Sequence, residues 1–218
     1  MSDLGRFAEA AESYLKVLTT QEEPHFASVE RGIKGYLTRH NLAAVYMNMG
    51  RLAEAEEQLR LAVTETPRFR PALYALAEVL LRQGKHSAAE TLVAQLGSHD
   101  NLRSEALFIQ GQLDAVRGDR AASHRDLEAA IHLRPDDLEL LKMICQFLCD
   151  RGDAAEAKEF LESLVVRDPK DASAHHNLGT LCLQRREFAR AAELLRESLR
   201  FRPNHPTTLL NLGFALKE

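Results

Sequence analysis

The chain has 218 residues, of which 45% are hydrophobic and 28% are charged, a composition typical of a folded protein. Its 28 Lys and Arg residues against 32 Asp and Glu residues give a formal net charge of −4, which argues against a nucleic-acid-binding protein. No apolar run reaches the roughly 18 residues that a membrane span needs, and the three cysteines form no Cys-x-x-Cys pair. These features predict a cytoplasmic protein that binds neither nucleic acid nor a membrane.

The residue types favour helices, because Ala, Leu, Glu and Arg are abundant, Trp is absent and β-branched residues are sparse. The first predicted element is a helix from about Gly5 to Leu18, within residues 1–23. Residues 24–35 are interpreted as an insert, in which Gly32 and Gly35 would each weaken a helix by about 1 kcal/mol.

After the insert the sequence repeats itself every 34 residues. Glycines that end an apolar run keep this step, and so do prolines and small residues. The members are Gly50, Gly84, Gly118 and Gly152; Pro67, Pro135, Pro169 and Pro203; Ala55, Ala89, Ser123, Ala157 and Ala191; and Ala43, Ala77, Gly111, Cys145, Gly179 and Gly213. Such a period predicts an array of similar structural units.

Each unit is predicted to be a pair of helices. In the first full unit, one helix runs from about Tyr36 to Met49 and a second from about Leu52 to Val63. Gly50 can adopt the left-handed backbone that ends a helix, and Pro67 cannot continue one. Small residues at the repeated positions would let two helix axes approach to about 8–10 Å.

These units resemble the tetratricopeptide repeat. Residues 51–56 and 187–192 resemble its second-helix signature, and residues 41–43, 177–179 and 211–213 resemble its first-helix signature. The resemblance implies an all-α fold, a right-handed superhelical solenoid of antiparallel helix pairs.

The resemblance also implies a division of the single solenoid, residues 1–218. It has a partial unit at 1–23 (second helix only), the insert at 24–35, full units at 36–69, 70–103, 104–137, 138–171 and 172–205, and a partial unit at 206–218 (first helix only). Two departures stand out, since Arg186 replaces the turn glycine of the last full unit and Gly97 is expected to end its helix early.

No catalytic, cofactor or metal site is predicted. Cys145 stands at a small-residue position of the repeat, which favours a buried apolar role over metal binding. His175 and His176 are adjacent, so on a helix they would diverge by about 100° and could not easily share an ion. The sequence has no Gly-x-Ser-x-Gly and no His-Glu-x-x-His motif. We therefore expect no enzymatic activity and no cofactor.

The resemblance instead implies a concave groove, lined by first helices, that binds a protein or peptide. The candidate groove residues are Tyr74, Leu81, Phe108, Ile109, Lys142, Met143, Asn177 and Asn211. Exposed apolar clusters of this kind usually mark binding surfaces. Acidic side chains at the implied groove positions outnumber basic ones, so the expected ligand is apolar to mildly basic.

The role of Asn177 and Asn211 stays open at this point. In the superhelix of the O-linked N-acetylglucosamine transferases, asparagines at this position grip a peptide backbone, because an amide both donates and accepts hydrogen bonds. The alternative is that asparagine is a common polar filler at this position.

Two alternatives to a free-standing scaffold also remain. Residues 1–80 are similar to the repeat-containing tails of bacterial family-two glycosyltransferases, which would make the chain an accessory domain of a larger enzyme that orients acceptor proteins. Alternatively, Leu210 and Phe214 in the last partial unit are expected to be exposed, which suggests either a segment of a longer protein or homo-association through the terminal half-units.

Overall fold

The computed structural model describes residues 2–19 and 35–218, and the predicted all-α fold is confirmed. Within those residues the chain forms twelve α-helices, one short 3-10 helix at Asp100–Leu102, and no strand. The α-helices are α1 (Ser2–Thr19), α2 (Tyr36–Asn48), α3 (Leu52–Glu65), α4 (Arg70–Arg82), α5 (His86–Gly97), α6 (Arg103–Arg117), α7 (Arg120–Leu133), α8 (Leu138–Arg151), α9 (Ala154–Arg167), α10 (Ala172–Gln184), α11 (Phe188–Phe201) and α12 (Pro206–Lys217).

The helix starts follow the 34-residue step of the sequence. Helices α2, α4, α6, α8, α10 and α12 begin at residues 36, 70, 103, 138, 172 and 206, so successive starts lie 33 to 35 residues apart. Helix α5 ends at Gly97 after 12 residues, whereas α3 has 14, which agrees with the expected early stop. The predicted insert, residues 24–35, lies outside the described residues except for Gly35.

The chain divides into two compact units, residues 1–130 and 131–218. In the first, each helix from α1 to α6 packs on the next, and the first helices α2, α4 and α6 also lie side by side. In the second, each helix from α8 to α12 packs on the next, and α8, α10 and α12 lie side by side. The alternation of first and second helices is therefore present in each unit, while the exact repeat boundaries stay a prediction.

The turns between paired helices have the backbone that the glycines predict. Gly50, Gly84, Gly118 and Gly152 have φ values between +69° and +87°, the left-handed region that glycine tolerates without strain. Arg186 takes the same place after α10 with a φ of 60°, although it carries a Cβ. The local chain path is therefore retained where the sequence lacks the favoured residue.

The small residues mark places where paired helices approach closely. A Cβ on Gly111 would lie 3.0 Å from the Leu127 side chain, and one on Gly179 would lie 2.9 Å from Leu195. Real Cβ atoms almost never come this near, so a larger residue would force the two helices apart. The predicted steric reason for the small positions is confirmed at these two contacts.

Candidate functional site

In the first unit, the candidate residues divide into exposed and buried members. Tyr74 and Leu81 on α4 are partly exposed, whereas Phe108 and Ile109 on α6 are 1% and 0% exposed. The Phe108 ring packs edge-to-face on Tyr74, with 5.3 Å between ring centroids. The expectation that Phe108 and Ile109 lie on an exposed groove surface is therefore wrong, since both side chains are part of the packed interior.

The charges of the first unit also differ from the expected groove. The Glu105 side chain is completely buried and forms an ion pair with Arg70, so it does not present a charge to a ligand. Glu78 and Arg82 form an exposed pair at 3.4 Å on α4. Opposite charges here cancel locally, and the first unit offers no strong electrostatic preference at its predicted site.

The second unit contains a cleft that joins three of the candidate residues. Lys142 and Met143 on α8 and Asn177 on α10 all line a cavity of about 300 Å³. We call it the α8–α10 cleft, and its lining residues are Glu139, Lys142, Met143, Cys145, Gln146, Leu161, Leu164, Asp171, Ser173, Ala174 and Asn177.

The α8–α10 cleft has an apolar floor and a polar rim. Cys145, Leu161, Leu164 and Ala174 line it and are at most 2% exposed. Glu139, Gln146 and Ser173 are exposed on the rim. Pockets of this character, with an apolar base and a few polar groups, are the usual form of ligand sites in proteins.

Lys142 is not a free cation on the rim. Its Nζ lies 3.0 Å from an Asp168 oxygen, 3.2 Å from Asp171 and 3.9 Å from Glu139. Hydrogen bonds with Asp168 and then Asp171 raise the pKa of Lys142 above its ordinary value. Three carboxylates thus surround one ammonium group, so the local charge is negative and favours a neutral or basic ligand.

Asp171 also fixes the start of α10. Its side chain accepts a hydrogen bond from the backbone N–H of Ala174 at 2.8 Å, the contact of an N-cap residue. The same carboxylate therefore caps α10 and contacts Lys142.

The two candidate asparagines have different roles. The Asn211 amide donates to Thr180 Oγ1 at 3.0 Å, and this hydroxyl donates to the carbonyl of His176 at 2.9 Å. Asn211 therefore joins α12 to α10. Asn177 lines the cleft, and its amide has no hydrogen-bond partner within the described part of the chain. Asn177 therefore keeps both its donor and its acceptor available for a ligand.

A second polar contact joins α12 to α10 beside Asn211. The buried hydroxyl of Thr208 lies 2.8 Å from His176 Nδ1 and 2.7 Å from His205 Nδ1. Because the hydroxyl has one proton, the three groups form a chain of hydrogen bonds when both imidazoles are neutral and have complementary tautomers.

Cys145 and Cys149 do not supply reactive thiolates at neutral pH. Burial raises the pKa of Cys145 to about 12, and burial followed by the Asp150 charge raises that of Cys149 to about 11. Both thiols are therefore protonated at neutral pH. The interpretation of Cys145 as a small buried residue agrees with its position on the cleft floor.

The sequence pattern missed part of the cleft. Leu161 and Leu164 come from the second helix α9. Asp168 and Asp171 come from the loop between α9 and α10. The predicted groove positions lie on first helices alone. The only sequence signal for the missed rim is the pair of aspartates that flanks Pro169 and Lys170.

The comparison with known families decides the classification. A model of the tetratricopeptide repeat family matches residues 21–215. The chain belongs to this family. The TPR assignment agrees with the paired helices and left-handed turns described above.

Known proteins with similar sequences include the following two. TPR repeat-containing protein PA4667 of Pseudomonas aeruginosa is 25% identical over 179 residues, which cover 78% of this chain and 30% of that protein. The human protein O-mannosyl-transferase TMTC3 is 24% identical over 224 residues, which cover 99% of this chain and 24% of that protein. This chain therefore spans less than a third of the length of either relative.

Solved structures share the fold. A TPR protein from Parabacteroides merdae superposes with a TM-score of 0.61 at 20% identity, covering 97% of this chain and 78% of that one. The TPR protein TTC0263 of Thermus thermophilus gives 0.55 at 19% identity, covering 84% and 100%. Among the described residues of this chain, no helix has the combined length and apolar character needed to cross a membrane.

Proposed function

We propose that this TPR chain is a non-catalytic scaffold that binds a protein or peptide in the α8–α10 cleft. One observation carries the proposal: the cleft combines an apolar floor with the amide of Asn177 on its rim, which is available for hydrogen bonding. TPR proteins generally bind proteins or peptides, and helices that are already folded lose little conformational entropy when a ligand binds.

The cleft chemistry indicates the ligand. About 300 Å³ is at the small end of ligand cavities, so the cleft would hold one or two apolar side chains and not a whole cofactor. Met143 would contact the side chain, and Asn177 would exchange hydrogen bonds with the peptide group beside it. Because carboxylates surround Lys142, flanking residues of the ligand would be neutral or basic.

Selection from a random displayed-peptide library tests this proposal. We expect bound peptides to carry Leu, Met or Phe beside a neutral or basic residue. Met143→Glu and Asn177→Ala should each weaken their binding by about tenfold or more, or roughly 1.4 kcal/mol. The control is Glu193→Ala, an exposed position on α11.

Circular dichroism would show that each variant keeps its helices. If peptides were selected but bound both cleft variants with wild-type affinity, the α8–α10 cleft would be rejected as the site.

A second candidate is an accessory role within a larger enzyme. The human relative is named as an O-mannosyl-transferase, and this chain covers 24% of it. In this arrangement the cleft would orient acceptor proteins for a separate catalytic domain. A coding sequence without an adjoining strand–helix domain that holds an Asp-x-Asp site would count against it.

A third candidate is self-association through the terminal helices. The exposed leucines and Phe214 of α12 favour it, because large apolar groups in water usually mark an interface.

The three free cysteines support our further proposal that the chain works in a reducing compartment such as the cytoplasm.

A further inference from the structure

A crevice separates the second helices α3 and α5 in the first compact unit. This α3–α5 crevice has a volume of about 340 Å³ and is lined on its two sides by Val63 and Ala88. Leu76, Leu80 and Leu92 also line it and are at most 6% exposed, so they form an apolar floor. A floor of this kind fits a large aliphatic or aromatic side chain.

At the equivalent place in the second unit, an ion pair spans the two helices. Arg190 on α11 and Glu162 on α9 stand three repeats after Ala88 and Arg60, and their side chains meet at 2.7 Å. In the first unit Ala88 is too short to reach across, and Arg60 pairs with Glu56 of its own helix at 2.6 Å. These two residues therefore leave the α3–α5 crevice open.

The outer face of α5, which we define as Ser87, Thr91 and Ala94, is small and uncharged. The three residues lie at i, i+4 and i+7 and are exposed. The positions of Thr91 and Ala94 carry two charged residues in each of α3, α7, α9 and α11, namely Glu57 and Arg60, Arg125 and Glu128, Glu159 and Glu162, and Glu193 and Arg196. Because small side chains let two helix axes come close together, this face is suited to contact with another helix.

Arg60 supplies a positive charge at the crevice. Among the described residues that line it, Arg60 alone is charged, and its side chain is 53% exposed. Glu56 is shared by Arg60 and Lys85, each at 2.6 Å, so two cations face one carboxylate. The excess of positive charge favours a ligand that brings a carboxylate of its own.

The hydroxyl groups beside the crevice already donate to their own helices. Thr64 donates to the carbonyl of Arg60 at 2.8 Å, and Thr91 donates to the carbonyl of Ser87 at 2.9 Å. An extended peptide needs hydrogen bonds from its receptor, whereas a helix satisfies most of its own backbone groups. These contacts therefore favour a helical ligand over an extended one.

We propose that the α3–α5 crevice and the outer face of α5 together bind an α-helix of a partner protein. The partner helix lies along the outer face of α5 and inserts a Leu, Met or Phe side chain into the crevice. An Asp or Glu about one turn away on that helix pairs with Arg60. This site uses none of the residues of the α8–α10 cleft, so the inference goes beyond the proposed function and does not depend on it.

Selection from a displayed library tests this proposal, with a stable helical scaffold in which the outward face of one helix is randomised. We expect the enriched helices to combine a large apolar residue with Asp or Glu about one turn away. Ala94→Arg places a charge on the outer face of α5, and Arg60→Glu/Ala88→Arg introduces the pair that spans the equivalent place in the second unit. Each variant should weaken binding of the enriched helices by about tenfold or more.

The matched control is Ala189→Arg, which places the same charge at an exposed position of α11 and should leave the affinity unchanged. Circular dichroism would show that each variant keeps its helices. Wild-type affinity for either site variant, or a library without enriched helices, would overturn the proposal. Neither result would affect the α8–α10 cleft, because that site is tested with different peptides and different variants.

A double-mutant cycle tests the pairing with Arg60. Replacing the acidic residue of an enriched helix by its amide should weaken binding to the wild type, but should have little further effect on binding to Arg60→Gln. An equal loss of affinity for both proteins would show that the acidic residue does not meet Arg60, and would overturn this part of the proposal.

Discussion

Arg186 holds a backbone conformation that its side chain disfavours. Its φ of 60° lies in the left-handed region, where the four equivalent turns have glycine. A residue with a Cβ pays roughly 1–2 kcal/mol there, which is partly offset by the extra freedom that glycine gives the unfolded chain. Arg186 is therefore a strained position that the repeat retains.

We predict that Arg186→Gly stabilises the protein by about 0.5–1 kcal/mol, because it removes this strain. Chemical denaturation would measure the change as a higher transition midpoint. The reverse change, Gly152→Arg, should lower the midpoint. A destabilised Arg186→Gly variant would show that the arginine side chain contributes more than its backbone costs.

We expect the contact of His176 with Thr208 of α12 to weaken at acidic pH. Burial, followed by the charges of His205 and Arg202, lowers the pKa of His176 below its ordinary value of 6.5. The unfolded chain therefore accepts the proton more readily than the folded one. The stability that neutral His176 supplies is present above pH 6.5 and is lost progressively as the pH falls below it.

We predict that the melting temperature of the wild type falls between pH 7.5 and 5 more steeply than that of His176→Gln, which cannot be protonated. Thermal unfolding of both proteins in matched buffers measures the difference. Parallel curves for the two proteins would mean that other groups cause the acid sensitivity.

At the scale of helices, two glycines at the same repeat position should respond oppositely to the same substitution. Gly179→Ala places a Cβ 2.9 Å from Leu195 and should destabilise by about 1–3 kcal/mol. Gly213→Ala meets nothing and should stabilise by about 0.5–1 kcal/mol, since alanine favours helices. Denaturation at low protein concentration compares them, and equal effects would contradict the close-approach explanation.

The Arg70–Glu105 ion pair joins the starts of α4 and α6 in the first unit. Glu105 is completely buried, while the Arg70 side chain is 43% exposed. Removing one partner of a buried pair leaves the other charge buried without compensation, which lowers the free energy of unfolding. Because Arg70 is partly exposed, we expect this loss to lie at the lower end of the usual range.

We therefore predict that Arg70→Met destabilises by about 2–3 kcal/mol and that Arg70→Met/Glu105→Leu recovers most of this loss. Urea denaturation of the two variants measures both steps. A double variant no more stable than the single one would show that Glu105 has a further structural role.

At the scale of the whole chain, each compact unit should respond separately to damage. The free energy of unfolding of a repeat array is close to a sum of contributions from single repeats and their interfaces, because each repeat contacts only its neighbours. We predict that Arg70→Met increases amide hydrogen exchange in α4 and α6 while α10 and α11 keep wild-type rates. Gly179→Ala should give the converse pattern, and exchange that rises everywhere in both variants would indicate one cooperative unit.

Much of the fold could be predicted from the sequence, because it depends on local rules that recur every 34 residues. Gly50 and its equivalents identify the turns, and Gly111 and Gly179 identify close helix contacts. Position in the repeat also placed Lys142, Met143 and Asn177 on one cleft.

The burial and the side-chain partners of a residue at a given repeat position could not be predicted in the same way. Phe108 is buried and its ring packs on Tyr74, whereas His40 and His176 at the same repeat position remain partly exposed. Lys142 is neutralised by aspartates from the next loop, a pairing that depends on side-chain reach and leaves no periodic signal.

Within each compact unit, the helices pack mainly on their next or next-but-one neighbours, and this has a consequence for how the chain is made. Little of the architecture depends on contacts distant in sequence, so the entropic cost of closing long loops stays small. A hairpin can acquire its partners soon after it leaves the ribosome, before the later repeats have been translated. Biogenesis can therefore proceed vectorially from the amino terminus, with each completed hairpin serving as the template for the next.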